Sequence, residues 1–394
     1  YVSNITDIDD KIIKRAIEEG ITFEEVARKY ENEYYHDLQG LNVRLADARP
    51  RVSDHIPEII DIVQTLIDKE HAYRVDNGDV YFRVHSFKDY GKLSHQPLEE
   101  LEAGARIEVG EIKEAAADFA LWKAAKPGEP SWTSPWGEGR PGWHIECSAM
   151  AMKYNGPTLD IHCGGTDHIR VHHTNEIAQS ECANGVPFAR FWMHGEFLRL
   201  DGSKMSKSSG EFLTVSLLME KGFNPLDYRY FALGSHYRNY LNFSYESLES
   251  AREALKSLHK KTDPLIGKAT SIETEKAKAI QKEFRDAIGD DLNMPRALGI
   301  LNTMLKSDLD DGEKAALVLD MDKIFGLKLD EPREEFEKKA DASIDVAKIE
   351  SLIALRKAAR ENKDWAESDR IRDELASMNV VIKDSKEGTT WEIK

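Results

Sequence analysis

Lys204-Met205-Ser206-Lys207-Ser208, set between Asp201-Gly202-Ser203 and Ser209-Gly210, places two lysines three residues apart in a loop rich in glycine and serine. Residues 191–200 just before it read as a strand, so the loop leaves directly from a sheet. A lysine ammonium is a compact charge with three donors, suited to phosphates whose charge shifts during reaction. A loop can close over a nucleotide and release it afterwards. A solvated turn is the ordinary fate of lysines in a polar loop, but the α/β surroundings argue against it here.

Outward from the loop, residues 142–153 read as a helix, 159–162 as a strand, 174–185 as a helix and 191–200 as a strand. That alternation predicts a mostly parallel α/β sheet. At the start, residues 1–5 read as the end of a buried strand. Thr6-Asp7-Ile8-Asp9 then fits a helix start, with Thr6 as N-cap and Asp9 at the third helical position. Helical patterns follow over 11–19, 22–40 and 54–70. Residues 1–70 would thus form the remainder of the first half of a nucleotide-binding domain, and 139–200 the second half. Residues 71–138 read as an α+β insertion, with β-rich runs at 73–75 and 79–84 around an Asn77-Gly78 hairpin. The stretches 126–130 and 137–142 look like loop punctuation. Residues 201–245 hold the lysine loop, then short helices and turns. Residues 246–335 read as a helical bundle, and 330–343 as a charged linker. The tail, 345–394, reads as helices over 348–362 and 364–376, then a hairpin of 380–383 with 389–393.

Composition narrows the function classes. The 394 residues are 41% hydrophobic and 32% charged, a globular balance too apolar for a mostly disordered chain. No run of 18 apolar residues predicts a membrane span, and no charged-then-apolar leader predicts secretion. Three cysteines cannot staple a chain this long, which points to a reducing, cytoplasmic setting. A net charge of −17 disfavours non-specific nucleic-acid binding. Residues 351–394, however, carry nine Lys/Arg and nine Asp/Glu, so a nucleic-acid partner is allowed where it has a specific surface.

Three further stretches carry a resemblance. They are Gly142-Trp143-His144-Ile145-Glu146-Cys147-Ser148-Ala149-Met150, His172-His173-Thr174-Asn175-Glu176-Ile177-Ala178-Gln179-Ser180 and Asn4-Ile5-Thr6-Asp7-Ile8-Asp9-Asp10-Lys11-Ile12. Taken with the lysine loop and Gly388-Thr389-Thr390-Trp391, the chain resembles the cysteinyl-tRNA synthetases, class I aminoacyl-tRNA synthetases, in order along nearly all its length. The resemblance implies an α/β fold: a Rossmann-like nucleotide-binding domain, N-terminally incomplete, with an α+β insertion, a helical bundle and a small α+β tail. It implies ATP-dependent activation of cysteine to cysteinyl-adenylate and transfer to tRNA(Cys), with Mg2+ accompanying ATP. Lys204 and Lys207 would steady the phosphates, with Lys207 also binding ATP. Gly165 and Asp167, after the 159–162 strand, would meet the adenosine side. One zinc ion would be held by Cys147, His172 and Glu176, a sulfur, nitrogen and oxygen set that suits this metal. A helix puts His172 and Glu176 on one face, one turn apart. In the family the metal serves recognition, because it favours a thiolate over a serine hydroxyl. Thr6 would touch the substrate cysteine, and a plain N-cap is compatible with that role. Trp143, one turn before Cys147, would wall the amino-acid pocket, although a lone tryptophan is as readily core. Cys163 stands where the family commonly has glycine, and Thr174 where it commonly has glutamate.

In the tail, Arg356, Arg360, Arg370, Arg372, Trp365 and Trp391 mix guanidinium groups with aromatics, as single-strand recognition requires. A solvated helical hairpin with core tryptophans would carry the same residues. The resemblance assigns this tail to the anticodon. The family's His-x-Gly-His motif and one further zinc-ligand cysteine upstream are not found in the sequence, which predicts an N-terminally truncated chain with little or no ATP–pyrophosphate exchange. Two rival functions are a cysteine:aminosugar ligase, which has no use for an anticodon reader, and a non-catalytic tRNA- or zinc-binding remnant.

Overall fold

The computed structural model describes residues 1–98, 112–200, 203–204, 213–333, 346–361, 364–377, 380–385 and 388–393. They fall into two units, Tyr1–Asp330 and Glu331–Lys394.

The first unit opens with Val2 and Ile5 bridging, in parallel, to Ala48 and Arg51. These residues are half-buried and form two isolated bridges, not the buried strand end that the sequence predicts. Helix α1 (Asp10–Glu19) is capped by Asp9, whose carboxylate accepts from the Ile12 amide at 2.7 Å. Thr6 is therefore not the N-cap. Asp7, buried, accepts instead from the Ser53 amide, tying this turn to the next crossover. Helix α2 (Phe23–Gly40) begins with a reciprocal Thr22–Glu25 capping box. Helix α3 (Ile56–Asp68) carries Ile59, Val63 and Leu66 inward at helical spacing.

The insertion is an antiparallel sheet. Its strands are β1 (Ala72–Arg74), β2 (Val80–Phe82), β3 (Phe119–Ala124), β4 (Trp132–Ser134) and β5 (Gly137–Pro141), in the order β1-β2-β3-β5-β4. The glycine-rich stretch over 137–142 is thus mostly strand and not a loop. A side chain at Gly139 would run into the Trp122 indole and the Lys123 carbonyl, so glycine is there for close approach to β3. Phe82, Leu121 and Trp122 pack with the α3 residues and with Ile145 and Met150 into one core. Arg140, only 5% exposed, reaches back to Asp10 and anchors this sheet to α1.

Helix α4 (Trp143–Asn155), strand β6 (Leu159–Gly165), helix α5 (His172–Asn184) and strand β7 (Ala189–Gly195) follow. β6 and β7 pair in parallel, Ile161 opposite Phe191 and Gly165 opposite Gly195. This crossover unit and the bridges above are the parallel α/β part. The predicted single strand over 191–200 is two strands, β7 and β8 (Leu198–Leu200). β8 pairs with β9 (Ser203–Lys204) and, in parallel, with β10 (Leu241–Phe243). Helices α6 (Val215–Glu220) and α7 (Pro225–Leu233) lie between β9 and β10.

A bundle completes the unit: α8 (Tyr245–Thr262), α9 (Glu275–Gly289), α10 (Met294–Leu305) and α11 (Asp311–Phe325). Ser244, Thr274, Asn293 and Asp310 each cap the helix that follows. The second unit has α12 (Val346–Glu361), α13 (Trp365–Ser377) and the hairpin β11 (Val380–Ser385) with β12 (Gly388–Ile393), around Ile349, Leu352, Ile371, Leu375 and Val380. The predicted linker from 334 to 343, and Asn362, lie outside the described residues.

Candidate functional site

Helices α4 and α5 meet along a polar seam. Ser148, Gln179 and Ser180 are fully buried, and the Gln179 amide donates to the His144 carbonyl at 3.0 Å and to Ser148 Oγ at 2.8 Å. Small serines let the two helices approach closely, and hydrogen bonds satisfy their hydroxyls. α5 is buried on every side from His172 to Ser180, which explains why it shows no polar stripe.

At the N-terminal end of this seam the structure brings Cys147, His172 and Glu176 together, their ligand atoms all within 4.8 Å of one another. Cys147 is one turn after Trp143 on α4, and His172 and Glu176 are one turn apart on α5. Glu176 is fully buried, and its Oε1 has no hydrogen-bond partner. An uncompensated carboxylate oxygen is costly in such a place unless a cation takes it. Burial, together with the Glu176 and Glu146 carboxylates, pushes the Cys147 thiol well above its ordinary range. A divalent cation reverses that, because a metal-bound thiol gives up its proton. The donor set and the orphaned oxygen therefore fit zinc.

Histidines crowd round this centre. Six of the thirteen in the chain lie between 144 and 194, and their rings pack on one another. Burial, with His172, His168 and Lys123 near by, holds His144 down to about 3. Burial, with four neighbouring imidazoles, holds His173 down to about 2. Both rings are neutral at physiological pH. Trp143 is 52% exposed, with its ring 4.6 Å from that of His172, so it flanks the cluster and is not core. Asn4, from the Val2–Ile5 segment, directs its amide at Cys147 Sγ, 3.6 Å away. Thr6 is half-buried two residues further on.

At the C-terminal end of β6, Gly165 leads into a short turn, Thr166–His168, that carries Asp167. A side chain on Gly164 would come 2.5 Å from His173 Cε1, so the strand end passes hard against the imidazole cluster. Thr166 Oγ1 donates to Glu196, just beyond β7, at 3.2 Å. The Cys147–His172–Glu176 cluster and the turn that carries Asp167 thus adjoin at the carboxyl ends of parallel strands, where open α/β sheets bind ligands. The backbone of Lys204, in β9, stands opposite Arg199 of β8, whereas Lys207 lies outside the described residues.

Comparison with known proteins places this geometry. Residues 1–253 match the family described as tRNA synthetases class I (C) catalytic domain, and residues 346–391 match the cysteinyl-tRNA ligase anticodon binding domain. A cysteine–tRNA ligase of Maridesulfovibrio salexigens is 44% identical over 100% of this chain and 87% of its own length. One from Idiomarina loihiensis is 47% identical over 99% and 86%. The chain belongs to the cysteine–tRNA ligase family. A solved methionyl-tRNA synthetase of Mycobacterium tuberculosis, 15% identical and covering 84% of this chain and 82% of its own, shares the fold with a TM-score of 0.56. A match of the tail to an anticodon-binding family runs against the aminosugar-ligase reading.

In this ligase-family chain, sequence reasoning overlooked Asn4, His144, His162, His173 and His194 around the centre. Nearly half the histidines falling in one short stretch was the available signal. In the tail, Trp391 packs, partly buried, against the small core and Arg356 is buried, while Trp365 is 60% exposed. No helix among the described residues is long and apolar enough to cross a membrane.

Proposed function

We propose that this chain carries the activity for which its relatives are named: cysteine is activated with ATP to cysteinyl-adenylate, and the cysteinyl group then passes to tRNA(Cys). The observation that carries this reading is the convergence of Cys147, His172 and Glu176, with the unpartnered Glu176 Oε1, beside the parallel strand ends. Cys147, His172 and Glu176 hold zinc, which when bound supplies a soft Lewis acid that takes a thiolate in preference to a hydroxyl. Trp143 and Thr6 line the amino-acid pocket, and Asn4 supports the Cys147 sulfur. The neutral rings of His144 and His173 add no positive charge beside the metal.

Gly165 leaves room for a nucleotide to approach the backbone, and Asp167 offers acceptors to the ribose hydroxyls. Lys204 and Lys207 steady the ATP phosphates, with Mg2+, as charge moves toward pyrophosphate. Positioning and electrostatics supply the catalysis, and no protein nucleophile is needed. Residues 346–391 engage the anticodon, and the 246–335 bundle braces the tRNA. The three free cysteines suit a reducing cytoplasm.

The test is zinc content together with the cysteine-over-serine preference in charging, read on the chain joined to a His-x-Gly-His-bearing N-terminal segment, for the parent and for Cys147→Ser/His172→Ala. Loss of zinc and of thiol preference together supports the reading. Unchanged charging of tRNA by a zinc-free double variant overturns it.

A further inference from the structure

Each buried ligand of the proposed zinc centre is gripped from behind by a second imidazole. His162, on β6, places Nε2 2.9 Å from Glu176 Oε2. His144, on α4, places Nδ1 3.0 Å from His172 Nδ1. Chemistry fixes the direction of both contacts. An ionised carboxylate only accepts, so His162 donates from Nε2. A histidine that gives Nε2 to a metal carries its proton on Nδ1, so His172 donates and His144 accepts. His162 thereby occupies one oxygen of Glu176 and leaves Oε1, buried and unpartnered, for the metal. His144 likewise occupies Nδ1 of His172 and leaves Nε2.

We propose that His144 and His162 are positioning residues that aim His172 and Glu176 at the metal, and so set how tightly zinc is held. The inference rests on the zinc reading given above. An alternative lies in the same atoms, since His162, His173 and Glu176 also cluster within 4.8 Å. Two ligands about 2.0–2.1 Å from a tetrahedral zinc stand roughly 3.3 Å apart, wider than the 2.9 Å seen between His162 and Glu176. A hydrogen bond, and not a second metal, accounts for His162. The two contacts come from different elements, strand β6 and helix α4.

The experiment measures zinc affinity of the whole chain by competition with a chromophoric chelator. Cobalt(II) absorption alongside it reports whether the Cys147 thiolate is bound. His162→Ala and His144→Ala are expected to weaken zinc by about 10–100-fold, the usual effect of losing an outer partner of a metal ligand. His162→Gln keeps a donor at the Nε2 position and His144→Asn keeps an acceptor at the Nδ1 position, so both are expected to restore most of the affinity. Metal-free melting shows that the variants are folded. Should an alanine variant melt early, His162→Phe or His144→Phe fills the ring volume without the hydrogen bond and takes its place.

Alanine or phenylalanine variants that bind zinc as tightly as the parent overturn the proposal. So does a folded His162→Gln as weak as His162→Ala, which would make His162 a ligand itself. If the parent chain binds no zinc at all, the metal reading fails first and this inference fails with it.

Discussion

Trp365 is the first residue of α13 and stands 60% exposed, although an indole beside a small apolar core would ordinarily be drawn into it. Trp391, by contrast, packs against that core. The guanidinium groups divide similarly. Arg370 is held by Glu367 and Glu374 along its own helix, and Arg372 pairs with Asp369. Those ion pairs are exposed and weak, but they compete with a phosphate for each arginine. A flat, unburied ring has no such rival. Trp365→Ala is therefore expected to weaken tRNA binding by about 1–3 kcal/mol, the range for loss of one stacked base, and to leave zinc binding unchanged. Arg370→Ala should cost less, since its carboxylate partners are freed at the same time. Filter binding of tRNA at fixed salt checks both. Equal affinities for parent and Trp365→Ala would remove Trp365 from the interface.

Between elements, single polar side chains join what the apolar core leaves apart. The Arg229 guanidinium, from α7, donates to the carbonyls of Leu41 at 2.9 Å, Asn42 at 3.1 Å and Phe325. It thus closes the C-terminal ends of α2 and α11 against each other. Arg229→Met keeps the stem but orphans those carbonyls, so it is expected to destabilise the first unit by about 1–3 kcal/mol in urea unfolding. Glu313, in the first turn of α11, accepts from the Thr274 amide at 2.7 Å, the Thr274 hydroxyl and the Glu273 amide, and so caps α9 from outside. Those backbone and hydroxyl donors hold its carboxyl below the usual range of about 4.5. The unfolded chain then takes up the proton first as pH falls. The stability from Glu313 is therefore full above pH 4.5 and is lost as pH drops through the lower folded value. Melting temperatures of the parent and Glu313→Gln should differ at pH 6 and converge toward pH 3; a constant gap would refute the capping role. Most elements were legible because their patterns are local: the helical periods over 22–40 and 54–70 and the Asn77-Gly78 hairpin. The misses arose where a residue served a distant partner. Gly139 reads as a turn until Trp122 is seen beside it, and Asp9, not Thr6, caps α1 while Asp7 is committed to Ser53. The grouping of Cys147, His172 and Glu176 was legible through the motifs that carry the resemblance, whereas His144 and His162 were not, since their partners are fixed only by how α4, α5 and β6 pack.

Across the whole molecule, charge and core are distributed in ways that constrain where tRNA can bind. A body carrying −17 repels a polyanion at long range, so binding must draw on local contacts supplied by more than one part of the chain. The core of Glu331–Lys394 is built from its own helices and hairpin, Ile349 to Val380, with no residue in common with the core around Trp122. The candidate metal cluster, conversely, draws Asn4, Cys147, His172 and Glu176 entirely from Tyr1–Asp330. Two modules that grip one tRNA act as linked binding sites, in which the second contact is effectively intramolecular. Removing residues 331–394 is therefore expected to lower tRNA affinity by about 100-fold or more, the scale of a lost second site, while zinc stoichiometry stays the same. Titration of tRNA and metal analysis on the parent and on residues 1–330 separate the two effects. Zinc lost together with the tail would show that the metal centre depends on the second unit. Unchanged tRNA affinity would place recognition wholly in the first, and the anticodon assignment of the tail would fall.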